Sequence, residues 1–195
     1  LDLTNAYFFN GILNERASAI LQPSAELKLG LFSSDTGLIR DIQAGFGVWN
    51  SIHEENTLAE QSPRSLYETD WYPMLAIALP WGLTQTTTFY WYTSPNGAFS
   101  TVEELNFQLD WDDSEYLGRF ALYPWINWAI ETHRTSLGNE QGTGFQFGVE
   151  PTLFELDNDD FPLYFSAPVE VGLSVSDYYE GDDGNVEAFG YISYG

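Results

Sequence analysis

Chemistry in this chain would have to be done almost entirely by oxygen. It has no cysteine and only two histidines, His53 and His133, against 29 aspartates and glutamates. A transition-metal centre needs nitrogen or sulfur ligands at short spacings, and neither histidine has such a neighbour. His133-Arg134-Thr135-Ser136 sets a histidine near a serine, as in a barrel-embedded lipid hydrolase. Nucleophilic catalysis also needs an oriented third group, and the sequence identifies none. Glu104 and Glu150 could flank a sugar as the acid and base of a β-sandwich glycanase, but every acidic β-protein offers such pairs, so no catalytic residue is assigned and an enzyme is not expected. Two loops, one holding Asp157, Asp159 and Asp160 and the other Asp182 and Asp183, carry the hard oxygen donors that calcium prefers. Neither has the spacing of a calcium loop of about twelve residues, and solvated turn residues would look the same. Calcium at these five aspartates is the only cofactor the sequence suggests.

The other carboxylates belong to a pattern of strands. Leu105, Phe107, Leu109 and Trp111 alternate with Glu104, Asn106, Gln108 and Asp110, the period of two that marks a strand with one apolar face. The same alternation runs from Arg119 to Glu131, from Phe145 to Leu153 and from Leu163 to Val175. Strands of roughly ten residues or more exceed the usual soluble length and suit a tilted crossing of a bilayer. On the polar faces lie Asp41, Glu104, Asp110, Glu131, Glu150 and Glu170, against Lys28 and Arg119, with the large rings of Tyr123, Trp125 and Tyr164 beside them. If these faces point inward, they line a narrow acidic lumen.

Loop lengths favour that orientation. Nine breaks separate ten strand-like stretches. Compact turns at Ser33 to Gly37, Trp81 to Thr84, Asp112 to Ser114 and Asp157 to Asp160 alternate with longer breaks at Asn10 to Ala19, Ser51 to Asp70, Ser94 to Thr101, His133 to Gly142 and Asp177 to Val186. Short turns on one rim and long loops on the other are the habit of bacterial outer-membrane barrels. Hydrophobic content is 44% and aromatic content 17%, yet mean hydropathy is slightly negative. No apolar run approaches the roughly 18 residues of a membrane helix. Aromatics cluster near strand ends, as at Trp71-Tyr72 and Tyr90-Trp91-Tyr92, where a membrane interface would want them. Pro73, Pro124, Pro151 and Pro168 fall within expected strands and require bulges or strand ends. A net charge of −23 repels phosphate backbones and argues against nucleic acid as a partner.

The stretch Ala6-Tyr7-Phe8-Phe9-Asn10-Gly11-Ile12-Leu13, then Gln22-Pro23 leading a strand and Gly47-Val48-Trp49-Asn50-Ser51 closing another, resembles the TorF-type porin family of bacterial outer-membrane β-barrels. In that family an aromatic, Arg-Gly-Ile pattern ends the first strand and a Gly-x-Trp motif follows; Asn10 stands here where the family usually has arginine. The likeness covers the first quarter of the chain. It implies an outer-membrane location and a passive channel.

The expectation is therefore all-β: a single domain over residues 1–195, folded as an antiparallel up-and-down transmembrane β-barrel of about ten strands. Its partners would be outer-membrane lipid and small cations or solutes, and the sequence leaves a homo-oligomer open. Leu1-Asp2-Leu3-Thr4-Asn5 reads as a strand without a leader, as in a processed exported chain. Phe189 to Gly195 reads as a strand cut short, so the parent would have twelve strands if a further hairpin followed. The expected function is a narrow, passive, cation-preferring channel. The alternatives are a non-conducting structural or adhesion barrel and a secreted β-sandwich that binds or cleaves polysaccharide. On this topology the Ser51 to Asp70 loop faces outward and the compact acidic turns face the periplasm. Trypsin added to intact cells should cut at Arg64; protection of Arg64 with cleavage at the opposite rim would invert the topology.

Overall fold

The computed structural model describes residues 1–55, 57–135, 140–156, 163–180 and 185–194. They form thirteen strands: β1 (Asp2–Phe9), β2 (Ile12–Gln22), β3 (Ser24–Ser33), β4 (Asp41–His53), β5 (Leu66–Ala78), β6 (Leu83–Thr93), β7 (Val102–Trp111), β8 (Trp125–His133), β9 (Thr143–Val149), β10 (Thr152–Leu156), β11 (Leu163–Ser166), β12 (Val169–Ser176) and β13 (Phe189–Tyr194). One short helix, α1 (Ser114–Leu117), interrupts them. Eleven strands make one sheet in the order β1-β2-β4-β5-β6-β7-β8-β9-β12-β13, with β3 also on β4. β10 and β11 pair only with each other. All the named strand pairings are antiparallel.

The sheet is turned inside out relative to an ordinary globular core. Among the described residues fourteen polar or charged side chains are buried, against nine apolar ones, whereas buried positions in soluble domains are mostly apolar. On β7, Glu104 and Asn106 are buried while Phe107, Leu109 and Trp111 are exposed. Ile126 and Trp128 are exposed on either side of buried Asn127. The period of two is thus as expected, and its apolar face points out.

Several boundaries differ from the sequence expectation, each for a local reason. The supposed long break at Asn10 to Ala19 is a tight hairpin: Asn10 and Gly11 both have positive φ, 46° and 82°, the geometry of a two-residue primed turn, and β2 follows at once. β2 and β3 form one line along β4 with a break at Pro23, whose carbonyl accepts the Asn50 N–H at 3.0 Å. The strand expected from Arg119 starts only at Trp125. Ahead of it the buried Asp113 carboxylate accepts the N–H groups of Leu122 and Tyr123, both at 3.0 Å, and folds residues 112–124 into α1 and a 3-10 turn rather than a compact turn. Arg119 and Tyr123 belong to this connection, not to a strand. Beside it, Ser114 holds the Asp112 carboxyl below its ordinary range through its hydroxyl and its N–H, the latter at 3.0 Å.

Proline positions follow the ladder rule. Pro124, Pro151 and Pro168 lie between strands, splitting β9 from β10 and β11 from β12. Pro73 stays inside β5, and there the ladder to β6 skips from Trp71↔Trp91 to Met74↔Thr88, because Pro73 has no N–H to offer.

The sheet curls until its ends meet through side chains, with Gly11 of the first hairpin against the Tyr191 ring of β13. No backbone ladder joins β1 to β13, and β3 pairs only with β4, among the described residues. The described strands thus form an all-β, antiparallel, curled sheet without a ladder that closes it. Gly82, in the β5–β6 turn, has φ 76°, and a Cβ there would run into the Asp112 carbonyl oxygen; Gly30 has open space around it. Gly82→Ala should cost about 1–3 kcal/mol in denaturant unfolding and Gly30→Ala close to nothing; equal effects would mean the turn is not built this way.

Candidate functional site

The interior of the curl is organised around Glu104, a buried carboxylate on β7. Tyr178, just past β12, donates its hydroxyl to Oε2 at 2.7 Å; Asn106 and Tyr92 donate to Oε1 at 2.7 and 3.2 Å. Behind these donors stand others. Asn127 on β8 gives one N–H to Asn106 Oδ1 and another to Gln146 Oε1, the latter at 3.0 Å. Gln146 on β9 donates to Asn10 Oδ1 at 2.8 Å, and Asn10 donates to the Tyr178 hydroxyl at 3.1 Å. The result is a ring of side chains in which hydrogen bonds run both ways from Asn127 and end on Glu104. It joins the tip of the β1–β2 hairpin to β7, β8, β9 and the end of β12.

Each member is placed by its strand. Asn106, Asn127 and Gln146 lie side by side because the registers pair Asn106 with Ala129, two pairs along the ladder from Gln108↔Asn127 and on the same face, and Asn127 with Gln146. The hairpin crosses the mouth of the curl, and Tyr7 donates to Glu68 Oε2 of β5 at 2.6 Å. Phe9 meets the edge of Tyr92 at 5.3 Å between centroids.

Three cavities follow one another along the concave face. The middle one, about 450 Å³, is lined by Trp49, Asp70, Tyr90, Tyr92, Glu104 and Asn127, among others. Toward the long loops a cavity of about 530 Å³ is lined by Phe9, Tyr67, Glu68 and Arg134 and shares Tyr92 with it. Toward the short turns a third, about 420 Å³, holds Lys28, Asp41 and Gln43 and shares Met74 and Thr86.

Of the residues singled out by sequence, Glu104 and Asp41 line these cavities. Asp110 accepts from Gln108 at 2.7 Å on the same face of β7. Glu131 is buried on β8 and accepts the Gly142 N–H at 2.9 Å. Trp125 shares the Asn127 face and lies over Gly148, and Glu170 accepts the Tyr191 hydroxyl. The others stand apart: Glu150 is exposed and bound by Ser166 at 2.7 Å, Tyr164 is 71% exposed on the β10–β11 hairpin, Arg119 stacks over the Phe120 ring at 4.7 Å, and Tyr123 sits in the α1–β8 connection. Asp157, Asp159, Asp160, Asp182 and Asp183 lie outside the described residues, as does Ser136. Among the described residues no three His, Asp or Glu side chains converge to hold a metal ion.

Sequence reasoning put Asn127 and Gln146 on polar strand faces and Tyr178 among the strand-end aromatics without assigning any of them to the site, and it passed over Asp70. It also passed over a chain at the long-loop end of β4, where His53 Nε2 meets Ser51 Oγ at 2.8 Å, Nδ1 meets Thr57 Oγ1 at 2.8 Å, and Thr57 donates to Glu15. With Thr57 donating onward, His53 carries its proton on Nδ1 and accepts from Ser51, the polarity of a general-base chain. Ser51 has no exposed surface, so no substrate reaches it, and the chain serves to lock β4 to β2 and the loop that follows.

Glu104 makes the ring sensitive to loss of its acceptor. Glu104→Leu orphans three buried donors at about 1–3 kcal/mol each, while Glu104→Gln keeps one acceptor oxygen and should cost clearly less. Unfolding in detergent micelles distinguishes them; equal losses would mean that volume rather than hydrogen bonding matters here.

No protein-family model, curated protein or solved structure matches the chain.

Proposed function

We propose that the chain is a porin-like outer-membrane β-barrel that passes small cations through a narrow interior. The observation that carries this is the inversion of its side chains: carboxylates and amides are buried, and leucine, phenylalanine and tryptophan are exposed along the same strands. Water rewards that arrangement nowhere, because an apolar exterior of this extent is an association or membrane surface. Hydrocarbon rewards it everywhere, as alternate residues of a membrane barrel face lipid and lumen. The succession of three cavities supplies a path, and its wall carries Glu26, Asp41, Asp70 and Glu104, with Lys28 paired to Glu26 at 2.8 Å. Like-signed charges around a narrow low-dielectric passage concentrate counter-ions. In the membrane the free edges of β1, β3 and β13 must be paired, since an unsatisfied backbone group in hydrocarbon costs several kcal/mol.

The β1–β2 hairpin across the mouth, held by Tyr7 and Asn10, favours a second reading, a plugged barrel with no conductance. One set of measurements separates the possibilities. The protein should require detergent and show heat-modifiable migration, and in a planar bilayer under a salt gradient its reversal potential should favour cations, less so as ionic strength rises. Asp41→Asn with Asp110→Asn should weaken the preference, and Ile126→Arg should cost roughly 2–4 kcal/mol if that side meets lipid at mid-bilayer. Insertion without current would support the plugged barrel; solubility in plain buffer would overturn both.

A further inference from the structure

We propose that the middle cavity binds an organic cation bearing several N–H donors, the aliphatic diamines being the simplest class, between Asp70 on β5 and Asn127 on β8. The proposal deepens the channel reading and rests on it for its place in the cell, although binding itself requires no current.

Two acceptor atoms at this cavity lack donors. Asp70 is 7% exposed, lines the cavity, and its Oδ1 has no hydrogen-bond partner. Asn127 is 6% exposed, spends both amide N–H groups on Asn106 and Gln146, and its Oδ1 also has none. Buried polar atoms are ordinarily satisfied, and exceptions ask for an unseen partner. Both orphans are acceptors, so the partner is donor-rich; a neutral sugar, which brings as many acceptors as donors, fits this pair less well than an ammonium group with three N–H donors.

Charge and shape agree. None of the residues lining the cavity is basic, and Asp70 stands two residues from buried Glu68 on the same face of β5, so this wall carries two acidic side chains and no cation of its own. The wall includes Tyr72, Tyr90 and Tyr92. Tyr90 and Tyr92 stack with centroids 5.3 Å apart and planes 5° apart, and Tyr72 lies 5.3 Å from Tyr90. Aromatic faces attract cations, most strongly where water is excluded. At about 450 Å³ the space falls within the range of small-molecule sites and is far larger than a bare metal ion, for which no cluster of three ligands exists among the described residues.

Calorimetric titration of butane-1,4-diamine into the protein in neutral-detergent micelles tests this. Saturable binding is expected, weakened about tenfold or more by Asp70→Asn, in line with the loss of one charge-assisted hydrogen bond. Tyr90→Leu should weaken it as well, with heat-modifiable migration confirming that each variant folds. A comparison on the wild-type chain needs no variant: tetramethylammonium has the charge but no N–H donor and should bind at least about tenfold more weakly. Absence of saturable diamine binding, equal affinity in Asp70→Asn, or equal affinity for tetramethylammonium would each overturn the proposal. Cation current without diamine binding would overturn it while leaving the channel standing; diamine binding without current would sustain it and remove the channel.

Discussion

Everything in the interior depends on keeping the buried Glu104 carboxyl supplied with donors without a basic residue against it. A carboxylate taken out of water must be matched by donors or it will not stay. Three side chains donate to it directly, and the amides of Asn127, Gln146 and Asn10 are oriented by the need to leave Asn106 and Tyr178 pointing the right way. That single requirement draws together the first hairpin, four consecutive strands and the segment after β12. In a sheet whose first and last strands share no ladder, this ring joins the two ends.

The same logic explains why the exterior is apolar. A sheet has two faces, and one already filled with hydrogen-bonded polar groups gains nothing from burying apolar area against itself. Leu75, Phe107, Leu109, Ile126 and Trp128 are left facing outward. In water such a surface would lose about 25 cal/mol for each Å² that could have been covered, which is why the inversion is a statement about the solvent as much as about the fold.

Along β7, β8 and β9 the strand faces were legible from period-two alternation, which depends only on the pleat. Asn106, Asn127 and Gln146 could each be put on a polar face in this way, and Glu104 with them. That they touch was not legible, because contact depends on register between strands, and a register is set by turns such as the Asp113-anchored connection that sequence read as compact. The two-residue turn at Asn10-Gly11 carried the asparagine-glycine signal of a hairpin, but the porin-like pattern around it drew attention to the missing arginine instead. Strand ends failed wherever a proline or a buried aspartate competed for backbone groups. Asp70 had no signal at all: its significance lies in what its neighbours leave undone.

That difference among buried carboxylates orders the interior. Glu104 has three donors, Glu68 has the Tyr7 hydroxyl, and Glu131 has the Gly142 N–H. Asp70 is buried to the same degree with one oxygen unmatched. A network of this kind concentrates its deficit where the donors run out, and here the donors run out on both walls of one cavity, at Asp70 and at Asn127. The ring that closes the curl therefore also creates the unmet acceptor: had Asn127 turned its oxygen toward Asn106 or Gln146, the path of donors to Glu104 would have been broken. Stability of the sheet and the unmatched acceptor on Asn127 are two consequences of one direction of hydrogen bonding.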